Sequence, residues 1–129
     1  ILNYSLSLAQ GLRPVATLRI EIHGEQYEQT SAGDGQYDAF MRALRQIYRE
    51  QLGRRFPMLR DYAVSIPPGG RTDAFVQTII TWESEGRTFR THGLDADQTE
   101  AAIKATVKML NIIETNHTNH GNQDCIVAR

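Results

Sequence analysis

A chain of 129 residues has the length of one ordinary domain, and 40% hydrophobic with 22% charged residues is the composition of a folded one, which excludes disorder along its whole length. With 14 basic against 15 acidic residues the formal charge is −1, so no strong field draws nucleic acid or an anionic membrane. Apolar runs are only a few residues long, which argues against a membrane-spanning helix, and the single cysteine, Cys125, has no internal partner and fits a reducing cytoplasm.

The chain opens Ile1-Leu2-Asn3-Tyr4, without an initiator Met or a basic, signal-like start, and reads as a piece cut from a longer chain. Tyr4, Leu6 and Leu8 alternate with polar residues, the period of a strand. Gln10 to Pro14 breaks it, and alternation resumes through Ala16, Leu18, Ile20 and Ile22. His23-Gly24-Glu25 reads as a hairpin turn, with the chain returning through Tyr27 to Thr30. After Gly33-Asp34-Gly35, apolar residues at Phe40, Ala43, Leu44, Ile47 and Tyr48 fall at helical spacing, predicting a helix over 36–52 that Gly53 stops.

The second half repeats this grammar. Leu59, Tyr62, Val64 and Ile66 predict a strand, and Pro67-Pro68-Gly69-Gly70 forbids regular structure. Phe75 to Trp82 is β-rich, Glu85-Gly86-Arg87 is a second hairpin turn, and Thr88, Phe89 and Thr91 return until Gly93. Asp95 is placed to cap a helix over 97–113, with Ile103, Val107, Leu110 and Ile113 on one side. Gly24 and Gly86 are offset by 62 residues, and Gly33 and Gly93 by 60. The expected fold is therefore α+β: two pseudo-repeated units of strands, hairpin, glycine and helix, with the strands in sheet and both helices on one side. Residues 115–129 are polar and aperiodic and read as a flexible tail.

Few residues suggest chemistry. The stretch from Tyr62 to Asp73 is stiffened by two prolines and loosened by two glycines; it suits close approach of a ligand or of another backbone, and an ordinary connecting loop accounts for it equally well. It lacks the spacing and lysine of a phosphate loop. Glycines before the helix at Gln36 leave backbone N–H groups for an anion, and Asp38 could take an ammonium; Asp34 and Asp38 could equally be plain caps. His117, His120 and Cys125 match no standard zinc spacing, so no metal is expected. No G-x-S-x-G, CxxC or H-E-x-x-H occurs, and nothing assembles an acid, a base and a nucleophile; no catalytic residue is expected. Helix, three strands and helix from Gln36 to Ile113 is also the order of a double-stranded RNA-binding module, but the last helix opens Asp97-Gln98-Thr99-Glu100, acidic where phosphates would need bases.

Four segments together carry a resemblance: Ser31 to Ala39, Asp61 to Val64, Gly69 to Ala74, and Gly93 to Thr99. In this order and spacing the chain, over about residues 4–114, resembles the carboxy-terminal regulatory domain of 2-isopropylmalate synthases and citramalate synthases. The stretch Ile66 to Ala74 is nearer the citramalate branch. The resemblance implies two β-β-β-α units that pair into a homodimer. Residues 1–114 would be the amino-acid-binding, dimerising part and 115–129 the tail. Leucine or isoleucine would bind near the dimer interface and inhibit a catalytic barrel elsewhere in the parent chain. That barrel would condense acetyl-CoA with a 2-oxo acid using a divalent metal, with no cofactor in this part. The effector residues carried over are Tyr37, Asp38, Leu59, Tyr62, Ile66, Thr72, Ala74, Val76, Ala96 and Gln98. At Ala96 some relatives carry a larger residue, so both amino acids stay candidates.

Overall fold

The computed structural model describes residues 2–7, 11–66 and 75–121, and divides into two compact units, Ile1–Pro57 and Met58–Arg129. The first unit holds β1 (Leu2–Ser7), β2 (Val15–Ile22), β3 (Glu25–Ala32) and α1 (Gln36–Gln46). Its strands form an antiparallel sheet in the order β1-β2-β3. At the β2–β3 turn both central residues have positive φ, 54° at His23 and 82° at Gly24, as a two-residue type I′ hairpin requires. The alternation seen in sequence sorts the faces. Ala16, Leu18, Ile20 and Ile22 are buried, as are Ala39, Phe40, Ala43 and Leu44 of α1. Each large apolar side chain so buried contributes about 1.5–3 kcal/mol. The opposite face is polar, with an Arg19–Glu28 ion pair at 3.1 Å and a Thr17–Thr30 hydroxyl contact at 3.0 Å.

The expected helix over 36–52 is regular only to Gln46; a π-helical turn, Ile47–Gln51, completes it. Ile47 and Tyr48, both in this turn, are buried. Tyr48 then takes Phe56 edge-on at 5.3 Å and the Arg54 guanidinium at 5.6 Å from its ring centre. Gly53, at φ +64°, ends the helix as expected, and Arg54 N–H donates back to the Tyr48 carbonyl at 2.8 Å.

The second unit holds β4 (Met58–Ser65), β5 (Val76–Ser84), β6 (Arg87–Asp95) and α2 (Gln98–Gly121). Its sheet has the order β4-β5-β6 and is separate from the first. The β5–β6 turn repeats the hairpin geometry, with φ 51° at Glu85 and 79° at Gly86. Thr78, Ile80 and Trp82 are buried, with Ala101, Ala102, Ile103, Ala105 and Met109 of α2. Trp82 Nε1 donates to Thr91 Oγ1 at 2.9 Å, which satisfies the indole inside the core.

Three expectations change in this unit. Gly93 does not close β6, which runs to Asp95. Glycine is needed there because a Cβ would collide with the Ala101 carbonyl oxygen and crowd Ala105, so α2 can lie close on the sheet. The longer strand displaces the cap. Asp97 Oδ1 accepts from Glu100 N–H at 3.0 Å, while Asp95 accepts from Asp97 N–H at 2.9 Å and from Lys104 Nζ at 2.8 Å. Finally, α2 does not stop near Ile113 but continues to Gly121, so residues 115–121 of the expected tail are helical. Polar residues break hydrophobic periodicity without breaking a helix, and no proline or glycine intervenes before Gly121.

Candidate functional site

The carried-over residues fall into two groups. Tyr37 and Asp38 lie in the first turn of α1. Tyr37 stacks near-parallel on Phe40, with ring centres 6.2 Å apart. Asp38 Oδ2 accepts from Asp34 N–H at 2.8 Å and from Arg42 Nε at 3.0 Å. Asp34 in turn meets Arg13 at 3.3 Å and Arg42 at 3.9 Å. Two carboxylates and two guanidinium groups thus sit at this helix start, with no net charge. The N-cap is Gly35, in extended backbone and with no side-chain capping bond. At α2 the corresponding position is Asp97, which does cap. First-turn N–H groups lack intrahelical acceptors; at α2 the Asp97 side chain takes one of them, whereas at α1 the N-cap glycine takes none and the Asp38 carboxylate lies within the first turn.

The remaining residues belong to the second unit. Cross-strand pairing sets Leu59 opposite Trp82, Tyr62 opposite Ile80 and Val64 opposite Thr78. Paired residues share a face, so these β4 side chains lie on the side that carries the buried core. Among the described residues α2 packs mainly on β6 and β5. Leu59, Val64 and Ile66 are left 36%, 42% and 70% exposed, and Tyr62 is half-buried. Val76 opens β5 opposite Asp95, and Ala96 and Gln98 follow at the start of α2, both exposed. Ile66, Val76, Ala96 and Gln98 therefore gather at one end of this unit, where β4 finishes, β5 begins and β6 turns into α2. Leu59 stands apart, at the far end of β4. Thr72 and Ala74 lie outside the described residues.

The repeat accounts for the bare strip. Tyr4 of β1 pairs with Leu18 as Tyr62 pairs with Ile80, and Tyr4 packs edge-on against Phe40 of α1 at 5.7 Å. At the position of α2 matching Phe40 stands Ala102, which has no ring to offer Tyr62.

Arg13 and Arg42 were not singled out by sequence. The i, i+4 spacing of Asp38 and Arg42 is a signal that could have found the second; Arg13 meets Asp34 only through the fold. Asp95, bonded by Lys104 and then by the Asp97 N–H, has its carboxyl held below the ordinary aspartate value. Among the described residues no group of three or more His, Cys, Asp or Glu is placed to hold a metal ion, and no helix is long and apolar enough to cross a membrane.

Comparison with known proteins adds a family. The profile of the LeuA allosteric (dimerisation) domain matches residues 1–114. A 2-isopropylmalate synthase of Aquifex aeolicus is 30% identical over 86% of this chain and 20% of its own length. A probable 2-isopropylmalate synthase of Methanopyrus kandleri is 35% identical over 76% of the chain and 19% of its own length. A putative (R)-citramalate synthase of Methanoculleus marisnigri is 27% identical over 86% and 21%. The chain spans about a fifth of the length of these relatives.

Proposed function

The chain belongs to the LeuA allosteric (dimerisation) domain family, and from that premise we propose that it is the effector-sensing part of a 2-isopropylmalate synthase. In this reading it binds the end-product amino acid, leucine first and isoleucine next, as a homodimer, and thereby inhibits the condensation of acetyl-CoA with a 2-oxo acid. The condensation and its divalent metal belong to a barrel elsewhere in the parent, a cytoplasmic enzyme. This part binds no metal or cofactor and has no acyltransferase activity of its own. The observation that carries the reading is the family match over 114 of 129 residues.

The chemistry of the two groups supports it. A branched-chain amino acid needs an acceptor for its ammonium, donors for its carboxylate and an apolar slot. Asp38 and the uncapped start of α1 supply the first two. On the second unit Leu59 and Ile66 are exposed apolar side chains, and Tyr62 and Val76 are half-buried. Exposed apolar side chains on one strand also favour a second copy as cover. A site whose occupancy alters subunit packing can bias two arrangements of the parent, and feedback needs only about 1–3 kcal/mol of such coupling.

A citramalate synthase sensing isoleucine is the second reading, favoured by the Methanoculleus relative. A purely structural dimerisation domain is the rival of another class. Titration calorimetry of the chain against leucine, isoleucine and valine separates them. Tightest binding of leucine supports the first reading, tightest binding of isoleucine the second, and dimerisation with no heat from any of the three the rival.

A further inference from the structure

The main chain of β3 alternates between groups that face β2 and groups that face away from the sheet. The hairpin turn makes Ile22 and Glu25 a hydrogen-bonded pair, and at the other end Gly33 N–H donates to the Pro14 carbonyl at 3.0 Å. Alternate residues counted from either end, Gln26, Glu28, Thr30 and Ala32, therefore present their main-chain groups at the free edge. Most of those carbonyls already hold a side chain. Gln51 Nε2, from the last residue of the π-helical turn, donates to the Glu28 carbonyl at 3.1 Å and to Gln29 Oε1 at 3.1 Å. Gln29 Nε2 reaches the Thr30 carbonyl at 3.5 Å, and Ser31 Oγ donates to the Ala32 carbonyl at 3.2 Å. Gln29 and Ser31 pair with the buried Leu18 and Ala16, on the face where burial alone would favour apolar side chains. The second unit does the same at one point. By the same alternation Leu94 faces the free edge of β6, and Lys104 Nζ donates to its carbonyl at 3.1 Å.

We propose that Gln51, with Gln29 and Ser31, guards the edge of β3: these side chains occupy its outward carbonyls and so deny the strand to any extended segment, a strand of a second copy included, that would pair with it. An incoming antiparallel strand binds through the N–H and the carbonyl of the same edge residue, so a carbonyl already taken interrupts the ladder at that rung. An edge left unguarded is open to such addition. Fold stability is a poor account of these bonds, because those of Gln51 are exposed and water competes for the same groups. The guard acts whichever effector the chain binds.

The test compares edge variants of the whole chain by sedimentation at tens of micromolar, by thermal melting and by amide hydrogen exchange. Gln29→Val with Gln51→Ala uncovers the Glu28 and Thr30 carbonyls. This variant should melt near the parent's temperature, yet its average mass should climb with concentration to several times that of the parent. In the grown species the Gln26, Glu28 and Thr30 amides, which exchange fast in the parent, should become protected. Gln51→Lys, which keeps a donor within reach of the Glu28 carbonyl, should hold the parent's mass, whereas Gln51→Ala alone should grow; this pair carries the test if the double variant does not fold. The parent's mass retained by the folded double variant, growth that leaves the β3 amides unprotected, or a Gln51→Lys chain that grows as Gln51→Ala does each overturn the proposal.

Discussion

Thr78 is fully buried on the inner face of β5, and its hydroxyl has no hydrogen-bond partner among the described residues. Leaving a buried hydroxyl unsatisfied costs roughly 1–3 kcal/mol. Valine has the same shape without the hydroxyl, so Thr78→Val should raise stability to chemical denaturation by about 1 kcal/mol. A loss instead would mean that the hydroxyl is satisfied in solution, by water or ligand. Gly93 makes a prediction of the opposite sign. A methyl group there must displace the backbone of α2, so Gly93→Ala should destabilise by more than about 2 kcal/mol. Within the proposed site, Tyr62→Ala should weaken effector binding by removing an apolar wall, and Asp38→Ala by removing the ammonium acceptor. In the parent enzyme both should relieve inhibition and leave uninhibited turnover largely intact; full inhibition retained by both would misplace the site.

Among the elements, the start of α2 is the most explicitly built. Asp97→Ala removes the capping bond to Glu100 N–H and should cost about 1 kcal/mol in urea unfolding. The bond from Lys104 to Asp95 depends on pH. Because the Asp95 carboxyl is held below its ordinary value, its contribution is complete above about pH 4 and is lost as pH falls through the lowered folded-state value. Lys104→Met should flatten that acid limb of a pH–stability curve by lowering the curve near neutrality, where the bond is fully formed, towards its acid level. How much of this was legible in sequence differs by element. Period-two alternation and paired turn residues revealed the strands and hairpins, because exposure on one face of a sheet is written directly into residue polarity. The cap at Asp97 was misassigned to Asp95 because nothing local shows that a strand passes through Gly93; only the close approach of α2 explains that glycine. The polar helix beyond Ile113 was missed because amphipathic period is a signal of burial, and that segment lacks it. Of the candidate site, the segments with family spacing were visible, whereas the grip of Arg13 on Asp34 depends on tertiary structure.

For the whole molecule, the two-unit repeat is built with unequal coverage. In the first unit Phe40 meets Tyr4 of the edge strand, and in the second Ala102 stands at the matching helix position while Leu59 and Val64 of the strand are exposed. The proposed homodimer follows from that imbalance. Sedimentation equilibrium at tens of micromolar should return twice the chain mass, and Val64→Lys with Ile66→Lys should return the single mass. A monomeric parent chain would count against the proposal.

One irregularity bears on how such a bare strand stays in solution. Between Leu59 and Asp61 the pairing of β4 with β5 slips by one residue, Arg60, whose Nε meets Glu83 at 3.1 Å. An edge that carries apolar side chains would otherwise be a straight template on which further chains could stack without limit. The extra residue kinks that template and plants a charge on it, so that the edge suits a partner that ends the growth and not one that extends it. Deleting Arg60 keeps Leu59 opposite Trp82 and should leave the fold intact, yet the shortened chain should form thioflavin-binding fibrils on storage at concentrations where the parent stays clear.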